Sequence, residues 1–340
     1  MCILKSYGLS IPRDKFSSVY DYLLENNLLR ADLKIISRGN LRILPVIHEV
    51  NLDPYKSAIF DFTSSAENSI SGVLNKITWN DDIEYGERNK WYRLGKCIIL
   101  KNWKNTDEEK QAAIEIVNKF KVISVYGETG KILGEKRKPS VHLIAGKEGE
   151  IQYMENGVKY IFDPEKVMIS KGNLRERNFV SRIGIKPDNV LDMFSGIGYF
   201  SLPIGKYLNP KTLTCIDVNE NALNYLKKAV KLNRISSKFF IYNEDCRCFH
   251  GKMRYDLIIM GNFKSYLYLP FALRNANAGS RVILHIITPT EKILDTNYQI
   301  MERINKFGYR AIIENAHKVK SFSPHVWHVS VTVLILQTPL

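Results

Sequence analysis

The second half of the chain alternates short apolar runs with amphipathic stretches. Five runs rich in Val, Ile, Leu and Phe are bounded by turn-forming or polar residues, which predicts strands. The predicted strands are Val190–Met193, Leu213–Asp217, Phe239–Tyr242, Leu257–Met260 and Val282–Ile287. The stretches between them have helical spacing and are Tyr199–Leu208, Glu220–Asn233, Tyr266–Arg274 and Asn297–Phe307. This alternation predicts an α/β fold with a parallel sheet covered by helices on both faces. A final β-rich run, His325–Leu336, is placed to add an antiparallel strand.

The first half of the chain has the mixed pattern of smaller α+β modules. A cluster of apolar residues with helical spacing ends near Asn27, and two apolar runs around Arg38–Asn40 predict a hairpin. The polar stretch 63–72 predicts a linker. A second module has a predicted helix from Asp107 and predicted strands at Cys97–Leu100, His142–Ile144 and Tyr160–Phe162. The predicted division is 1–72, 73–169 and 170–340, with the α/β unit last.

Charge and composition narrow the class of protein. The 340 residues carry a net charge of +14, which favours RNA or DNA as a partner, although a lysine-rich source proteome would give the same excess. No apolar run approaches the roughly eighteen residues of a membrane span, and the run before Lys5 is too short for a signal peptide. We therefore expect a cytoplasmic protein. Cys246 and Cys248 lack further ligands at suitable spacing, so no metal site is expected.

The residues that carry chemistry follow the first strands of the α/β half. Asp192 lies near the end of the first strand, and Gly196 and Gly198 form the turn into the next helix. This position is the carboxyl edge of a parallel sheet, where such folds bind ligands. A third glycine is absent, because Ser201 stands in its place, and an acidic residue beside the turn would repel a pyrophosphate. A cationic ligand such as a sulfonium would be tolerated there.

Two further acids complete a predicted adenosine pocket. Asp217 ends the second strand, where a carboxylate can accept both hydroxyls of a ribose. Asp245 follows the third strand, where it can accept the exocyclic amine of adenine. Each acid taken singly could merely cap a helix. Three acids after three successive strands instead favour a site for S-adenosylmethionine.

Three segments resemble a family of tRNA-modifying enzymes. They are VLDMFSGIGYFSLPIGKY (190–207), AVKLNRI (229–235) and KVMISKGNLRERNFVSRI (166–183). The family contains the archaeal and eukaryotic tRNA (guanine-N1) methyltransferases that act just 3′ of the anticodon, and their relatives in wybutosine biosynthesis. The resemblance implies a class I methyltransferase-like Rossmann sheet with N-terminal α+β modules, S-adenosylmethionine as the cofactor, and tRNA as the partner. It also implies that residues 1–72 contact the tRNA.

Two further segments distinguish branches of this family. The guanine methyltransferases follow the fourth strand with M-N-L-P, whereas this chain has MGNF (260–263). The M-G pair, the segment KVKSFSPHVWHVSVTVLIL (318–336) and the basic stretch GEKRKP (134–139) resemble the branch that transfers a 3-amino-3-carboxypropyl group. Lys171 departs from the family pattern, which has proline there.

The expected function is therefore transfer of that group to the tricyclic wyosine precursor 3′ of the anticodon in tRNA(Phe). Methylation of guanine at the same nucleotide is one alternative, and methylation of ribosomal RNA or of a protein is another. The non-enzymatic alternative is a tRNA-binding protein with a vestigial cofactor pocket.

The resemblance also assigns roles to individual residues. Ser170 and Arg177 would contact the methionine part of the cofactor, and Arg177 would pair bidentately with its carboxylate. Glu176 would orient Arg177, and these two are the candidate catalytic residues. The predicted cofactor-binding residues are Ser170, Arg177, Asp192, Phe194, Gly196, Gly198, Asp217, Val218, Asp245 and Cys246. His285 lies in an apolar run, where a hydrogen-bonded core histidine is the alternative to a functional one.

Overall fold

The computed structural model describes most of the chain, in two compact units. The described residues are 3–26, 28–30, 33, 35–63, 83–85, 91–101, 103, 107–130, 134, 137, 139–170, 173–251 and 253–339. The units are Met1–Thr78 and Trp79–Leu340. Residues 64–72 of the predicted linker 63–72 lie outside the described residues. The three-part division predicted from the sequence stays a prediction.

Within its described residues, the first unit has an antiparallel sheet of five strands and one α-helix. Its strands are β1 (Ile3–Pro12), β2 (Ile36–Arg38), β3 (Leu41–Val46), β4 (Asn51–Leu52) and β5 (Tyr55–Thr63), in the order β2-β3-β1-β5-β4. Helix α1 (Phe16–Glu25) buries Leu23 in a cluster with Leu9 and Leu44. The predicted hairpin is confirmed as β2 and β3, and Gly39 in its turn has a positive φ of 56°.

The second unit begins with a five-stranded sheet and a separate hairpin. The sheet strands are β6 (Ile83–Tyr85), β7 (Trp91–Leu94), β8 (Cys97–Lys101), β9 (Ser124–Glu128) and β10 (Val141–Gly146). Helix α2 (Asp107–Phe120) follows β8 and buries Ala113 against Ile98 and Val125. The hairpin strands are β11 (Ile151–Glu155) and β12 (Val158–Phe162). The predicted helix and the three predicted strands, β8, β10 and β12, are confirmed, and β6, β7, β9 and β11 are additions to them.

The rest of the second unit is a seven-stranded sheet flanked by helices. Its strands are β13 (Asn189–Asp192), β14 (Thr212–Asp217), β15 (Lys238–Asn243), β16 (Tyr255–Met260), β17 (Ala276–Pro289), β18 (Arg310–Ser323) and β19 (Val326–Gln337). Its helices are α3 (Leu174–Val180), α4 (Ser201–Tyr207), α5 (Glu220–Asn233), α6 (Ser265–Leu273) and α7 (Ile293–Lys306).

The strand order places β13, the first strand of this sheet along the chain, in the interior of the sheet. The order is β15-β14-β13-β16-β17-β19-β18, with β13 to β17 parallel and β19 antiparallel to both of its neighbours. The predicted class I methyltransferase-like sheet and its antiparallel addition are confirmed. Since β13 lies between β14 and β16, the loops after these three strands meet at one edge.

Local signals explain why the helices lie where they do. The side chain of Asn219 accepts a hydrogen bond from the backbone of Ala222 and so caps the start of α5, which ends at Arg234 in the left-handed conformation. The apolar face of α5 buries Leu223 and Leu226 against the sheet. Among the helices described here, none is both long and apolar enough to cross a bilayer.

Candidate cofactor-binding and active site

A cavity of about 640 Å³ opens at the carboxyl edge of the seven-stranded sheet. Its wall comes from the loops after β13, β14, β15 and β16, from the segment around Ser170 and α3, and from Arg137. The predicted site residues that line it are Ser170, Arg177, Phe194, Gly196, Asp217, Val218, Asp245 and Cys246. The structure therefore brings together eight residues that the sequence places between positions 170 and 246. Asp192, Gly198 and Glu176 lie behind this wall.

The two glycines after β13 have different physical purposes. Both have positive φ, 52° at Gly196 and 93° at Gly198. A Cβ added to Gly196 would meet nothing within 4 Å, so its backbone faces open space. A Cβ on Gly198 would lie only 2.6 Å from Leu226 and 2.7 Å from Leu202. Gly196 thus exposes backbone to a ligand, while Gly198 allows α4 and α5 to pack closely beneath the loop.

Asp217 is a fixed acceptor at the end of β14. One carboxylate oxygen accepts from the backbone N–H of Gly196 at 2.7 Å, and the other accepts from that of Asn219 at 2.8 Å. Burial raises the pKa of Asp217, and these N–H donors partly oppose that rise. Each carboxylate oxygen retains a further lone pair, so the group can accept hydrogen bonds from a ligand without rotating.

Asp245 and Cys246 continue the wall after β15. Asp245 accepts from the guanidinium of Arg247 at 2.9 Å and 2.5 Å, and this bond holds the pKa of Asp245 below its usual range. Burial raises the pKa of the Cys246 thiol to about 12. The thiol is therefore neutral at physiological pH and contributes shape rather than a nucleophile.

The structure corrects the direct cofactor contact predicted for Asp192. The side chain is completely buried and accepts a hydrogen bond of 2.5 Å from the Ser201 hydroxyl and another from the backbone N–H of Phe194. Burial raises the pKa of Asp192 to about 6. Because its partners are the two ends of the glycine loop, Asp192 shapes that loop from below.

Arg177 is bound by an acid that the sequence analysis did not single out. Its Nε and Nη2 donate to the two carboxylate oxygens of Glu155 at 2.6 Å and 2.7 Å, and both side chains are almost fully buried. The guanidinium also lies over the ring of Tyr199, 4.6 Å from its centroid. Glu155 occupies the Nε–Nη2 edge of the guanidinium, so the pairing of Arg177 with a methionine carboxylate stays a prediction that could use only the other edge.

The same arginine fixes the backbone of Ser170. Nη1 of Arg177 donates to the carbonyl oxygen of Ser170 at 2.8 Å, and the backbone N–H of Ser170 donates to the Tyr199 hydroxyl at 3.0 Å. The backbone of Ser170 is thus held on both sides, through its own N–H and its own carbonyl oxygen. Arg177 positions Ser170 and retains one face on the cavity.

Glu176 faces away from Arg177, which corrects the role predicted for it. Its carboxylate accepts from Nε2 of His317 at 2.7 Å and lies 3.8 Å from Nε2 of His285. Nδ1 of His285 in turn lies 2.8 Å from Nε2 of His328. His285 is therefore neither exposed nor isolated, but one member of a buried polar cluster.

Arg137 and Phe263 are two of the cavity residues that were not predicted from the sequence. Arg137 belongs to the basic stretch GEKRKP (134–139), and it lines the cavity near Asp217. Partial desolvation lowers the pKa of Arg137, and the nearby Tyr199 and Asp217 oppose that change. Phe263 follows β16, and its sequence signal was the unusual MGNF segment. Within the described part of the chain, no group of three His, Cys, Asp or Glu residues is arranged to hold a metal ion.

The chain is similar in sequence to a known protein family and to named proteins from two archaea. Residues 151–313 match the family model described as the TRM5/TYW2 methyltransferase domain. The chain is similar to proteins named tRNA(Phe) (4-demethylwyosine(37)-C(7)) aminocarboxypropyltransferase from two archaea. The identity is 31% over 252 residues for Pyrococcus horikoshii, covering 73% of this chain and 90% of that protein. It is 34% over 248 residues for Methanocaldococcus jannaschii, covering 71% and 96%.

A solved structure is similar over the same length. The crystal structure of M. jannaschii TYW2 in complex with AdoMet superposes with a TM-score of 0.59 and 25% identity. It covers 73% of this chain and all of that one.

Proposed function

The chain belongs to the TRM5/TYW2 methyltransferase domain family, and from that premise we propose that it is a tRNA-modifying transferase. It moves the 3-amino-3-carboxypropyl group of S-adenosylmethionine to C7 of 4-demethylwyosine at position 37 of tRNA(Phe). The observation that carries this proposal is the similarity to two aminocarboxypropyltransferases, of which the chain covers 90% and 96%. The cavity supplies a physical basis that is independent of the names.

The residues present fit S-adenosylmethionine. The backbone at Gly196 faces open space, so a ligand can lie in direct contact with it. Asp217 offers a rigid pair of acceptors for ribose hydroxyls, and Val218, Asp245 and Cys246 form the adjoining wall for adenine. The volume of about 640 Å³ lies within the usual range for a cofactor site. When bound, the cofactor supplies a carbon activated by a neighbouring sulfonium.

The chain's own residues decide which part of the cofactor faces the acceptor. The backbone of Ser170 is fixed by Arg177 and Tyr199, so its side chain is presented to the cavity from a rigid position. We assign Ser170 to the methionine end of the ligand, with Arg137 as the cation that faces its carboxylate. Arg177 acts through Ser170. Holding the tail at this end leaves its reactive carbon, rather than the methyl group, toward the acceptor.

The positive charge of the chain suits a tRNA partner. Its 49 Lys and Arg residues exceed its 35 Asp and Glu residues. Phosphate contacts of this kind give an affinity that falls steeply as salt concentration rises. The target base must leave its stack to reach a cavity of this depth. We therefore expect tRNA affinity to depend strongly on ionic strength, and cofactor affinity to depend on it weakly.

A double-label assay tests the proposed function. The protein is incubated with tRNA(Phe) carrying 4-demethylwyosine and with S-adenosylmethionine labelled either on the methyl group or on the carboxyl carbon. The carboxyl label is expected in the tRNA and the methyl label is not. The matched control is tRNA(Phe) with an unmodified guanine at the same position. Transfer of the methyl label to either tRNA would show that the protein is a methyltransferase. Cofactor binding without transfer of either label would show that it is a binding protein and not a transferase.

A further inference from the structure

A buried polar cluster lies directly behind one wall of the cavity. Strands β17, β19 and β18 are neighbours, and His285, Ser330 and His317 lie side by side across them. His328 is two residues before Ser330 and so points to the same face of the sheet. Glu176 of α3 lies over this face. Four ionisable groups thus meet here; Glu176, His285 and His328 are buried, where each needs a specific partner, and His317 is partly exposed.

The hydrogen bonds of the cluster define an order of donors and acceptors. The amide nitrogen of Asn315 can only donate, so Nδ1 of His317 accepts and Nε2 of His317 donates to Glu176. Burial disfavours the Glu176 charge, but the His317 hydrogen bond and the nearby histidines outweigh it and lower the pKa of Glu176. A charged Glu176 favours a proton on the His285 nitrogen that faces it, Nε2. Nδ1 of His285 is then the acceptor, and Nε2 of His328 donates to it.

Four atoms in the cluster lack full hydrogen bonding. Within the described residues, Oε1 of Glu176, Nε2 of His285, Nδ1 of His328 and Oγ of Ser330 are buried without a partner. The first two face each other at 3.8 Å, so a small displacement would join them. Buried polar atoms left in this state cost free energy that an apolar core would not. Such a cost is typical of a functional site rather than of a packing core.

The two inner histidines contact aromatic residues of the cavity wall. The ring of His328 meets that of Phe263 edge to face at 4.9 Å, and the ring of His285 lies 5.2 Å from that of Phe200. Phe263 and Phe200 both line the cavity. Phe263 follows β16, whereas the adenosine-side acids follow β14 and β15 on the other side of β13. Phe263 therefore belongs to the half of the cavity left for the acceptor base.

We propose that Glu176, His285 and His328 are a positioning network for the acceptor base and act through Phe263. This inference rests on the proposed function for the identity of the acceptor, a planar nucleobase that can stack on an aromatic ring. The carboxylate fixes the tautomer of His285, that tautomer orients His328, and the edge of His328 sets the plane of Phe263.

A double-mutant cycle tests the network through a readout that simple destabilisation would not produce. Glu176→Gln keeps the size of the side chain and removes its charge. We expect it to lower kcat/KM for tRNA about tenfold, a coupling of ordinary size for contacting residues, with the Kd for S-adenosylmethionine within about twofold. In a Phe263→Leu background, adding Glu176→Gln should lower kcat/KM for tRNA by less than about a further twofold. Asp256→Asn, on the opposite edge of the sheet, is the control and should act equally in both backgrounds.

Equal losses from Glu176→Gln in both backgrounds would overturn the proposal, as would a parallel loss of cofactor affinity. A second measurement is independent of both activity and variants. Nitrogen chemical shifts of the histidines in the unaltered protein should show Nε2 protonated and Nδ1 bare in His285 and in His328. The opposite tautomer of His285 would break the link to Glu176 and overturn the network even if the transferase activity is established.

Discussion

The two sides of the cavity stabilise their charged groups in different ways. On the β14–β15 side, the carboxylates of Asp217 and Asp245 are bound by groups two residues along the chain or by the nearby glycine loop. On the α3 side, Arg177 and Glu176 are fully buried, and their partners Glu155 and His317 lie 22 and 141 residues away. The first side is a ligand surface with partly solvated acids. The second is a buried support whose charges depend on one another.

The largest effect should come from breaking the buried support at Glu155. Glu155→Gln removes the charge that compensates a fully buried Arg177, and losing one member of such a pair costs about 3–5 kcal/mol. Chemical denaturation of both proteins measures the difference in the free energy of unfolding. Glu314→Gln is the matched control, since its partner Arg281 is partly exposed and such pairs contribute about 1 kcal/mol or less. Equal losses from the two changes would show that the buried pair has no special importance.

Asp217→Asn should weaken the ligand surface without unfolding the protein. The change removes a charged acceptor at the cavity wall, and hydrogen bonds to charged groups contribute about 1.5–3 kcal/mol. We expect the Kd for S-adenosylmethionine to rise by roughly one to two orders of magnitude. Titration calorimetry provides the measurement, and Asp188→Asn, an exposed acid paired with Lys211, is the control. An unchanged Kd would remove Asp217 from the cofactor site.

Acid should destabilise the second side of the cavity through its histidines. Burial lowers the pKa of His285 to about 4 and of His328 to about 3, whereas an unfolded histidine has a pKa of about 6.5. The unfolded chain therefore binds more protons below about pH 6.5, and stability is lost as the pH falls toward 4. The charges that face these rings are Glu176, His317 and Lys320.

Asp192 changes the stability in the opposite direction. Its pKa of about 6 in the folded state is above the ordinary value, so the folded protein binds this proton before the unfolded chain does as the pH falls. The effect of the two histidines is larger than that of Asp192, so the free energy of unfolding should fall by about 2 kcal/mol between about pH 7.5 and 5.5. Chemical denaturation at these two pH values measures the difference. His285→Phe should reduce the loss, and a variant with the same pH dependence as the unaltered protein would contradict the assignment.

The smallest effect is expected at Asp245. Its carboxylate is partly exposed and is already neutralised by Arg247, so water can replace much of what it contributes. Asp245→Asn should raise the Kd for S-adenosylmethionine by less than about fivefold, which is under 1 kcal/mol. Calorimetry under the conditions used for Asp217→Asn gives a direct comparison. A larger effect at Asp245 than at Asp217 would reverse the order of importance on the ligand surface.

Sequence patterns predicted the side of the cavity that depends on local structure. A short apolar run followed by an acid or by a glycine turn places Asp217, Asp245 and Gly196 at one edge, whatever the rest of the chain does. The strands and helices of the α/β half were predictable for the same reason, since their periodicity is local.

The partners on the other side could not be predicted from such patterns. Glu176 and Arg177 are adjacent in sequence, but on a helix they point in directions about 100° apart, so each finds a different environment. Glu155 lies in a hairpin strand that had no separate signal, and its exposure or burial depends on packing over the whole unit. Asp192 was misassigned because the acid that ends a strand can face either the ligand or the loop beneath it.

The mass of the nucleoside at position 37 tests the central claim most directly. tRNA(Phe) carrying 4-demethylwyosine is incubated with the protein and S-adenosylmethionine, digested to nucleosides and analysed by mass spectrometry. We expect the added mass of a 3-amino-3-carboxypropyl group on the tricyclic base, with methylthioadenosine released. A single added methyl group, with S-adenosylhomocysteine released, would contradict it.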